Sequence, residues 1–179
     1  MRLFVAINFS EATRRGLSAL QSELKQLATR GRFTAEENLH LTLAFLGVCD
    51  TAQCARAIRV VDSICAAPFS IEITHISRFQ KPEGDIWWSG LRESAPLSEL
   101  QRDLTDKLRI TGFALEERPY TPHITLGRQV VTNMSEKMVS PFGETVNQIH
   151  LMRSAHIGGK LVYTSVWEKG LTPIGVPPS

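Results

Sequence analysis

The sequence places His-x-Thr twice in the middle of an apolar strand pattern. The first copy, in NLHLTLAFLG at residues 38–47, contains His40 and Thr42, and the second, in TPHITLGR at residues 121–128, contains His123 and Thr125. Side chains alternate along a β-strand, so each His shares one face with its Thr while apolar residues occupy the other face. We therefore expect both strands to bury their apolar faces and to turn an imidazole and a hydroxyl away from the core.

Each copy closes a segment with the same order of elements. An apolar strand, LFVAIN in the first half and IWWSGL in the second, is followed by a leucine-striped helix and then by the His-x-Thr strand. Leu3 precedes His40 by the same number of residues as Ile86 precedes His123. This repeat predicts two related lobes with pseudo-twofold symmetry. Because no Gly/Ser-rich linker separates the halves, we expect residues 1–179 to form one domain of two closely packed lobes.

The remaining pattern predicts further helices, strands and turns. The helices are EATRRGLSALQSELKQLATR (11–30, capped by Ser10), TAQCARAIRVVDSICAA (51–67, capped by Asp50) and APLSELQRDLTDKLRITG (95–112, stopped by Gly112). The strands are FSIEITHISRF (69–79), ETVNQIHLMRS (144–154) and LVYTSVWEKGL (161–171), with turns at QKPEGD (80–85) and IGGK (157–160) and a proline-bearing tail.

Composition limits the classes of function. Lys and Arg number 20 against 18 Asp and Glu, a formal charge of +2, which is too small for bulk electrostatic binding of nucleic acid. Any anion site must therefore be local. The apolar run at the N-terminus stops at Asn8, short of a signal peptide or a membrane span, so we expect a cytoplasmic protein without a membrane partner. The cysteines are odd in number and lack a CxxC spacing, which argues against a disulfide framework or a zinc cluster.

If the related strands face each other across a cleft, two imidazoles and two hydroxyls converge on one volume. Imidazole titrates near neutrality, so one ring can accept a proton while the other donates one. The threonine hydroxyls and the charge of Arg128 can hold the oxygens of a phosphate. A single His-x-Thr is a weak signal, because a lone strand His more often forms structural hydrogen bonds. Two copies with matched flanks favour an acid–base site.

These residues resemble the 2H phosphoesterase superfamily, which is named for its two His-x-Thr/Ser-x motifs, and within it the RNA 2′,3′-cyclic phosphodiesterase family, also called 2′-5′ RNA ligase. The resemblance rests on RLFVAINFS, ENLHLTLAFLG and RPYTPHITLGR and extends over nearly the whole chain. It implies an α+β fold in which antiparallel sheets face a central cleft and the helices pack outside. By position it implies His40 and His123 as the catalytic pair and Thr42, Thr125, Arg128 and Phe45 as substrate-binding residues.

The implied reaction is hydrolysis of a terminal 2′,3′-cyclic phosphate of RNA to a 2′-phosphomonoester, with reversible 2′-5′ ligation as a second activity. We expect a monomer that needs neither metal nor cofactor. The segment SAHIGGKLVYTSV departs from the family pattern, since His156 and Lys160 supply its basic residues. Their role at RNA ends is therefore left open.

Three alternatives stay open at the level of sequence. The same site could act on a small cyclic nucleotide, on ADP-ribose 1″,2″-cyclic phosphate or on a 2′-5′ oligonucleotide. The chain could instead be a binding module for RNA ends or cyclic nucleotides with little turnover. The histidines could also be metal ligands, although no Cys, Asp or Glu accompanies them at a useful spacing.

Overall fold

A computed structural model describes residues 1–173 of the chain. Its elements are β1 (Arg2–Asn8), α1 (Glu11–Leu27), β2 (Ala28–Phe33), a 3₁₀ turn (Glu36–Asn38), β3 (His40–Val48), α2 (Thr51–Asp62), β4 (Phe69–Phe79), β5 (Asp85–Leu91), α3 (Ala95–Ile110), β6 (His123–Thr132), β7 (Lys137–Val146), β8 (Gln148–Ile157) and β9 (Lys160–Gly170). Most of the predicted proline-bearing tail, residues 174–179, lies outside the described residues.

The strands form two antiparallel sheets. One sheet has the order β3-β1-β8-β9 and the other the order β2-β6-β5-β4-β7. The two motif strands, β3 and β6, belong to different sheets and contact each other directly. The predicted fold class, α+β with two antiparallel sheets and helices packed outside, is confirmed.

The predicted repeat is visible in the strand pairing. β1 pairs with β3 across the intervening α1, and β5 pairs with β6 across the intervening α3. The helices are exchanged between the halves, because α1 packs on β6 and α3 packs on β3. Each motif strand is thus covered by the helix that precedes the other motif.

The apolar faces of the motif strands are buried, as the alternation predicts. Leu41 and Ile124, which each follow a motif His, are 0% exposed. They belong to one hydrophobic core that takes residues from both sheets and from all three helices. That residues 1–179 form a single domain stays a prediction, and this shared core supports it.

Helix ends follow the predicted capping chemistry. The Ser10 hydroxyl accepts a hydrogen bond from the main-chain N–H of Thr13. Asp50 and Gln53 form a reciprocal capping box at the start of α2. Gly112 has a φ of +92° immediately beyond α3, a left-handed conformation that glycine adopts without strain.

Two helices end earlier than the sequence pattern predicted. α1 stops at Leu27 and not at residue 30, because residues from Ala28 onward pair with β6 as the edge strand β2. The prediction of helix there was wrong: Thr29 is β-branched and suits a strand, Gly31 disfavours a helix, and β6 supplies the partner strand. α2 stops at Asp62 and not at residue 67.

The segment 144–154, predicted as one strand, divides at Asn147 into the end of β7 and the start of β8. The two parts belong to different sheets, so this segment carries the chain from one sheet to the other. β7 is an edge strand and holds Pro141, which a central strand would not tolerate. The predicted turns at 80–85 and 157–160 are both present, joining β4 to β5 and β8 to β9.

None of the helices in residues 1–173 combines the length and the apolarity that a membrane span requires. The three cysteines are free thiols; Cys49 and Cys54 are buried and Cys65 is exposed.

Candidate active site

The two motif histidines are held in the same way. The Nδ1 atom of His40 lies 2.7 Å from the main-chain oxygen of Asn38, and Nδ1 of His123 lies 2.7 Å from the main-chain oxygen of Thr121. A carbonyl oxygen only accepts, so Nδ1 carries the proton in both rings. Each Nε2 atom is therefore the position that accepts a proton when its ring is neutral and donates one when the ring is charged.

The threonine of the first motif, Thr42, contacts the other ring nitrogen of His40. Its hydroxyl Oγ1 lies 2.9 Å from His40 Nε2. Thr125 is half-buried on the corresponding face of β6, and its main-chain oxygen accepts a hydrogen bond of 2.9 Å from the Thr34 hydroxyl. The two His-x-Thr pairs therefore occupy equivalent places on two neighbouring strands.

Both motif strands contain a β-bulge just after the threonine. On β3, Ala6 pairs with Thr42 and Val5 with Ala44, so Leu43 is the additional residue. On β6, Trp88 pairs with Thr125 and Trp87 with Gly127, so Leu126 is the additional residue. A bulge shifts the alternation of side chains by one position.

The shifted alternation decides where Phe45 and Arg128 lie. Each residue follows the motif threonine by three positions, which in a regular strand would place it on the opposite face. With the bulge it shares the face of His and Thr. Both side chains are exposed, Phe45 to 60%, while the residues of the bulges are buried. The structure thus brings Phe45 and Arg128 to the face that carries the histidines.

Glutamines from the exchanged helices bind the bulges. Gln21 of α1 donates through Nε2 to the main-chain oxygen of Leu126 at 2.8 Å and to that of Thr34 at 2.7 Å. Gln101 of α3 donates through Nε2 to the main-chain oxygen of Leu43 at 3.3 Å. The Leu126 oxygen also accepts the main-chain N–H of Thr34 at 2.9 Å, so the Gln21 bond is its second. The glutamines thus supply side-chain donors to main-chain oxygens in the interior. Neither glutamine was singled out from the sequence, because this role depends on tertiary packing.

Aromatic rings surround His40. The Phe4 ring lies 4.9 Å from the imidazole between centroids, and the Tyr163 ring meets it edge-on at 5.2 Å. Phe4 also contacts Phe45 at 5.9 Å. Tyr163 comes from β9, within the C-terminal segment whose contacts the sequence left open.

A second aromatic group surrounds His123. The rings of Phe79 and Trp88 lie 5.1 Å and 5.9 Å from its imidazole, and His75 lies 5.7 Å from Trp88. The adjacent tryptophans of β5 point to opposite faces of the sheet. Trp87 is 0% exposed in the core, and Trp88, on the face of Thr125, contacts His123.

Burial lowers the pKa of both motif histidines. For His40 the removal of the ring from water is the largest cause, the hydrogen bond to Asn38 opposes it, and the positive charges of His123 and Arg128 lower the pKa further. For His123 burial is again the largest cause, opposed by the bond to Thr121, with the charges of Arg128 and Arg118 acting in the same direction as burial. Arg128 therefore influences both rings.

The charge of Arg128 also acts on Tyr163. Burial raises the pKa of its hydroxyl, and the charges of Arg128 and Arg2 act against that rise. Within residues 1–173 Arg128 forms no ion pair with a carboxylate. Its charge is therefore available to an anion bound beside the two histidines.

Across the described part of the chain, no three His, Cys, Asp or Glu side chains lie close enough together to hold a metal ion. The chemistry offered by the residues themselves is proton transfer at two imidazoles, with hydroxyl and guanidinium groups beside them. An arrangement of this kind suits the transfer of a phosphoryl group.

Comparison with known proteins gives a family match. The sequence model of the 2′-5′ RNA ligase superfamily matches residues 9–157. The RNA 2′,3′-cyclic phosphodiesterase of Methanothermobacter thermautotrophicus is 31% identical over 179 residues, which cover 98% of this chain and 93% of that protein. The protein of the same description from Geobacillus stearothermophilus is 30% identical over 129 residues, 70% of this chain, and the match spans only 41% of that relative.

Solved structures resemble the whole fold. The crystal structure of E. coli LigT in its apo form superposes with a TM-score of 0.80 at 26% identity, covering 96% of this chain and 98% of the other. LigT complexed with 3′-AMP gives a TM-score of 0.81 at 26% identity with the same coverage.

Proposed function

Because the chain belongs to the 2′-5′ RNA ligase superfamily, we propose that it is an RNA 2′,3′-cyclic phosphodiesterase that opens a terminal cyclic phosphate to a 2′-phosphomonoester. The observation that carries this proposal is the matched anchoring of His40 and His123, each with Nδ1 against a main-chain oxygen at 2.7 Å. It leaves two Nε2 atoms for proton transfer. The names of the curated relatives support the same activity.

In the proposed reaction a water oxygen attacks phosphorus and the bond from phosphorus to O3′ breaks. One neutral imidazole takes a proton from the water through Nε2, and the other, charged, imidazole gives a proton from Nε2 to O3′. Each ring ends in the opposite state, so the pair regains its starting protonation by exchange with solvent. Attack and departure take place on opposite sides of phosphorus, a demand that histidines on two different strands can meet.

The hydroxyls of Thr42 and Thr125 and the guanidinium of Arg128 are proposed to bind the non-bridging phosphate oxygens. The Thr42 hydroxyl already lies beside His40 Nε2 at 2.9 Å, so a phosphate oxygen that reaches one group is close to the other. Charge-assisted hydrogen bonds from Arg128 would stabilise the charge that develops on the oxygens. Phe45 is proposed to offer an apolar surface at the margin of the same face.

Ligation is the same chemistry in reverse. If an RNA 5′-hydroxyl takes the place of water, a 2′-5′ linkage forms from the cyclic phosphate with no further reactant. We propose that this is a second, reversible activity. It is measured by incubating a cyclic-ended RNA with an RNA that bears a 5′-hydroxyl and separating the products by length.

The central experiment replaces each histidine in turn. His40→Ala and His123→Ala should each lower the hydrolysis of an RNA ending in a 2′,3′-cyclic phosphate by about 10²-fold or more, the usual contribution of a general acid or base. The thermal unfolding temperature should stay close to that of the parent protein. Glu99→Ala is the control, since Glu99 is exposed on α3. Full activity of both motif variants would refute the proposal.

Two further measurements separate the alternatives. Binding of the cyclic-ended RNA without hydrolysis at any pH would favour a binding module. Comparison of a cyclic mononucleotide with a cyclic-ended RNA distinguishes the two substrate classes. Hydrolysis should continue unchanged in EDTA, because the proposed steps use only side chains of the protein.

A further inference from the structure

A cavity in the sheet that carries the second motif shares Arg128 with the proposed active site. It has a volume of about 370 Å³ and lies where the turn between β4 and β5 meets β2 and the distal end of β6. Its polar lining comes from Arg32, Lys81, Glu83, Arg128 and Gln129. Arg128 therefore borders this cavity and also carries its charge toward both motif histidines.

The cavity is positively charged. Three of its side chains, those of Arg32, Lys81 and Arg128, form no ion pair with any carboxylate of residues 1–173. Its one acid, Glu83, accepts a hydrogen bond from Gln129 Nε2 at 3.3 Å. Unpaired cations gathered around a concave site favour an anion, such as the phosphate of an RNA backbone, over a neutral ligand.

Contacts to the main chain of Glu83 and Gln129 hold the walls of the cavity in place. Arg30 donates to the main-chain oxygen of Glu83 at 2.8 Å, which fixes the turn against β2. Gly84 packs directly on Gln129, where a Cβ atom would come within 2.7 Å of the main chain. Gln129 itself has a φ of +53°. The charged side chains thus project from a preformed surface.

We propose that this cavity binds the phosphate on the 5′ oxygen of the nucleotide whose 2′,3′-cyclic phosphate lies between the histidines. This inference rests on the proposed function, because it takes the two phosphates to belong to one nucleotide of an RNA strand. They are separated by a single ribose, and Arg128 stands between their sites. The subsite would make the protein prefer an RNA end, in which that 5′ phosphate is a phosphodiester, over a nucleoside cyclic phosphate that lacks it.

The test measures binding independently of turnover. Dissociation constants are determined by calorimetry for adenosine 2′-monophosphate and adenosine 2′,5′-bisphosphate, which differ only in the 5′ phosphate. The bisphosphate should bind about tenfold more tightly, as two partly exposed charge-assisted contacts would give. In the double variant Arg32→Ala, Lys81→Ala the two nucleotides should bind with nearly equal dissociation constants. Arg32→Lys should retain part of the bisphosphate's advantage.

Arg109→Ala is the matched control and should retain the full advantage, because Arg109 lies on α3 paired with Asp106. Equal dissociation constants for the two nucleotides, or an advantage that survives in the double variant, would overturn the inference. Failure of the proposed function would give a different result. The bisphosphate would still bind more tightly than the monophosphate, but cyclic-ended RNA would not be hydrolysed. That result would support the subsite and refute the activity.

Discussion

The hydroxyl of Tyr120 donates a hydrogen bond of 2.9 Å to the main-chain oxygen of Thr42. Tyr120 precedes the second motif by three residues, whereas Thr42 belongs to the first, so this bond ties the two motifs together across the sheets. Burial raises the pKa of the Tyr120 hydroxyl, which therefore stays protonated as a donor at neutral pH. The relative position of the two histidines depends in part on this contact.

Tyr120→Phe removes that bond while keeping the ring. We expect the free energy of unfolding to fall by about 1 kcal/mol, the net contribution of one hydrogen bond, and kcat/KM for a cyclic-ended RNA to fall roughly fivefold. Denaturant unfolding and steady-state kinetics check both numbers. Tyr120→Leu, which also removes the packing of the ring, should be worse in both assays; equal behaviour of Tyr120→Phe and the parent would contradict the role given to the bond.

The pH dependence of catalysis follows from the lowered pKa values of His40 and His123. One ring must be neutral and the other charged, so kcat/KM should be bell-shaped, and because both pKa values lie below the ordinary 6.5 in the free protein, the maximum should fall below pH 6.5. The profile of kcat should lie at higher pH, since a bound phosphate stabilises the charged ring. A maximum of kcat/KM above neutrality would contradict this prediction.

Stability should depend on pH in the same range. His40, His123 and His150 all have pKa values lowered chiefly by burial, so the unfolded chain binds protons more readily than the folded one. These histidines should therefore make their full contribution to the free energy of unfolding above about pH 6.5. That contribution should decrease as the pH falls toward the lowered pKa values. Denaturant unfolding at several pH values measures the slope. The double variant His40→Gln, His123→Gln should show a shallower decrease.

Gly90 leaves room for His75. Gly90 pairs with His123 on the neighbouring strand, and a Cβ atom placed on it would come within 2.1 Å of His75 Nε2. Gly90→Ala should therefore push His75 against Trp88 and disturb His123, at a cost of about 1–3 kcal/mol in stability. The added variant His75→Ala removes the clash and should restore much of the lost stability and activity. Failure of this rescue would show that the glycine has another role.

Gln21 binds the bulge that places Arg128 on the same face of β6 as His123 and Thr125. Gln21→Leu removes the side-chain donor from the main-chain oxygens of Thr34 and Leu126, and within residues 1–173 only the Leu126 oxygen keeps a further donor, the Thr34 N–H at 2.9 Å. We therefore expect a loss of about 1–2 kcal/mol in unfolding free energy and a rise in KM as Arg128 shifts. Gln101→Leu is the matched comparison on the other strand. Its bond is longer at 3.3 Å, and its effect should be smaller.

Local patterns in the sequence predicted much of the fold. The repeat, the buried faces of the motif strands and the capping of α1 and α2 depend on neighbouring residues, and the structure has all of them. β2 was missed, because ATRGRF becomes a strand only by pairing with β6. The division of 144–154 was missed for a similar reason, since both parts favour extended structure and only the sheet order separates them.

The site was predictable to the extent that it lies in the motifs. His40, His123 and their threonines were named from spacing alone, and their catalytic and binding roles stay predictions. Simple alternation would have placed Arg128 on the buried face, and the bulge that changes this is invisible without the partner strand. Tyr163 comes from a distant segment, and Tyr120, although it is close to the second motif in the sequence, reaches the first motif only in the folded structure.

The exchange of helices between the halves has a consequence for the stability of each half on its own. A chain of half this length would leave its own motif strand without a covering helix, and would expose a row of leucines to water. Two copies that lend each other a helix would hide both rows at once. Neither half is therefore expected to fold alone, because each depends on the other to shield its motif strand from water.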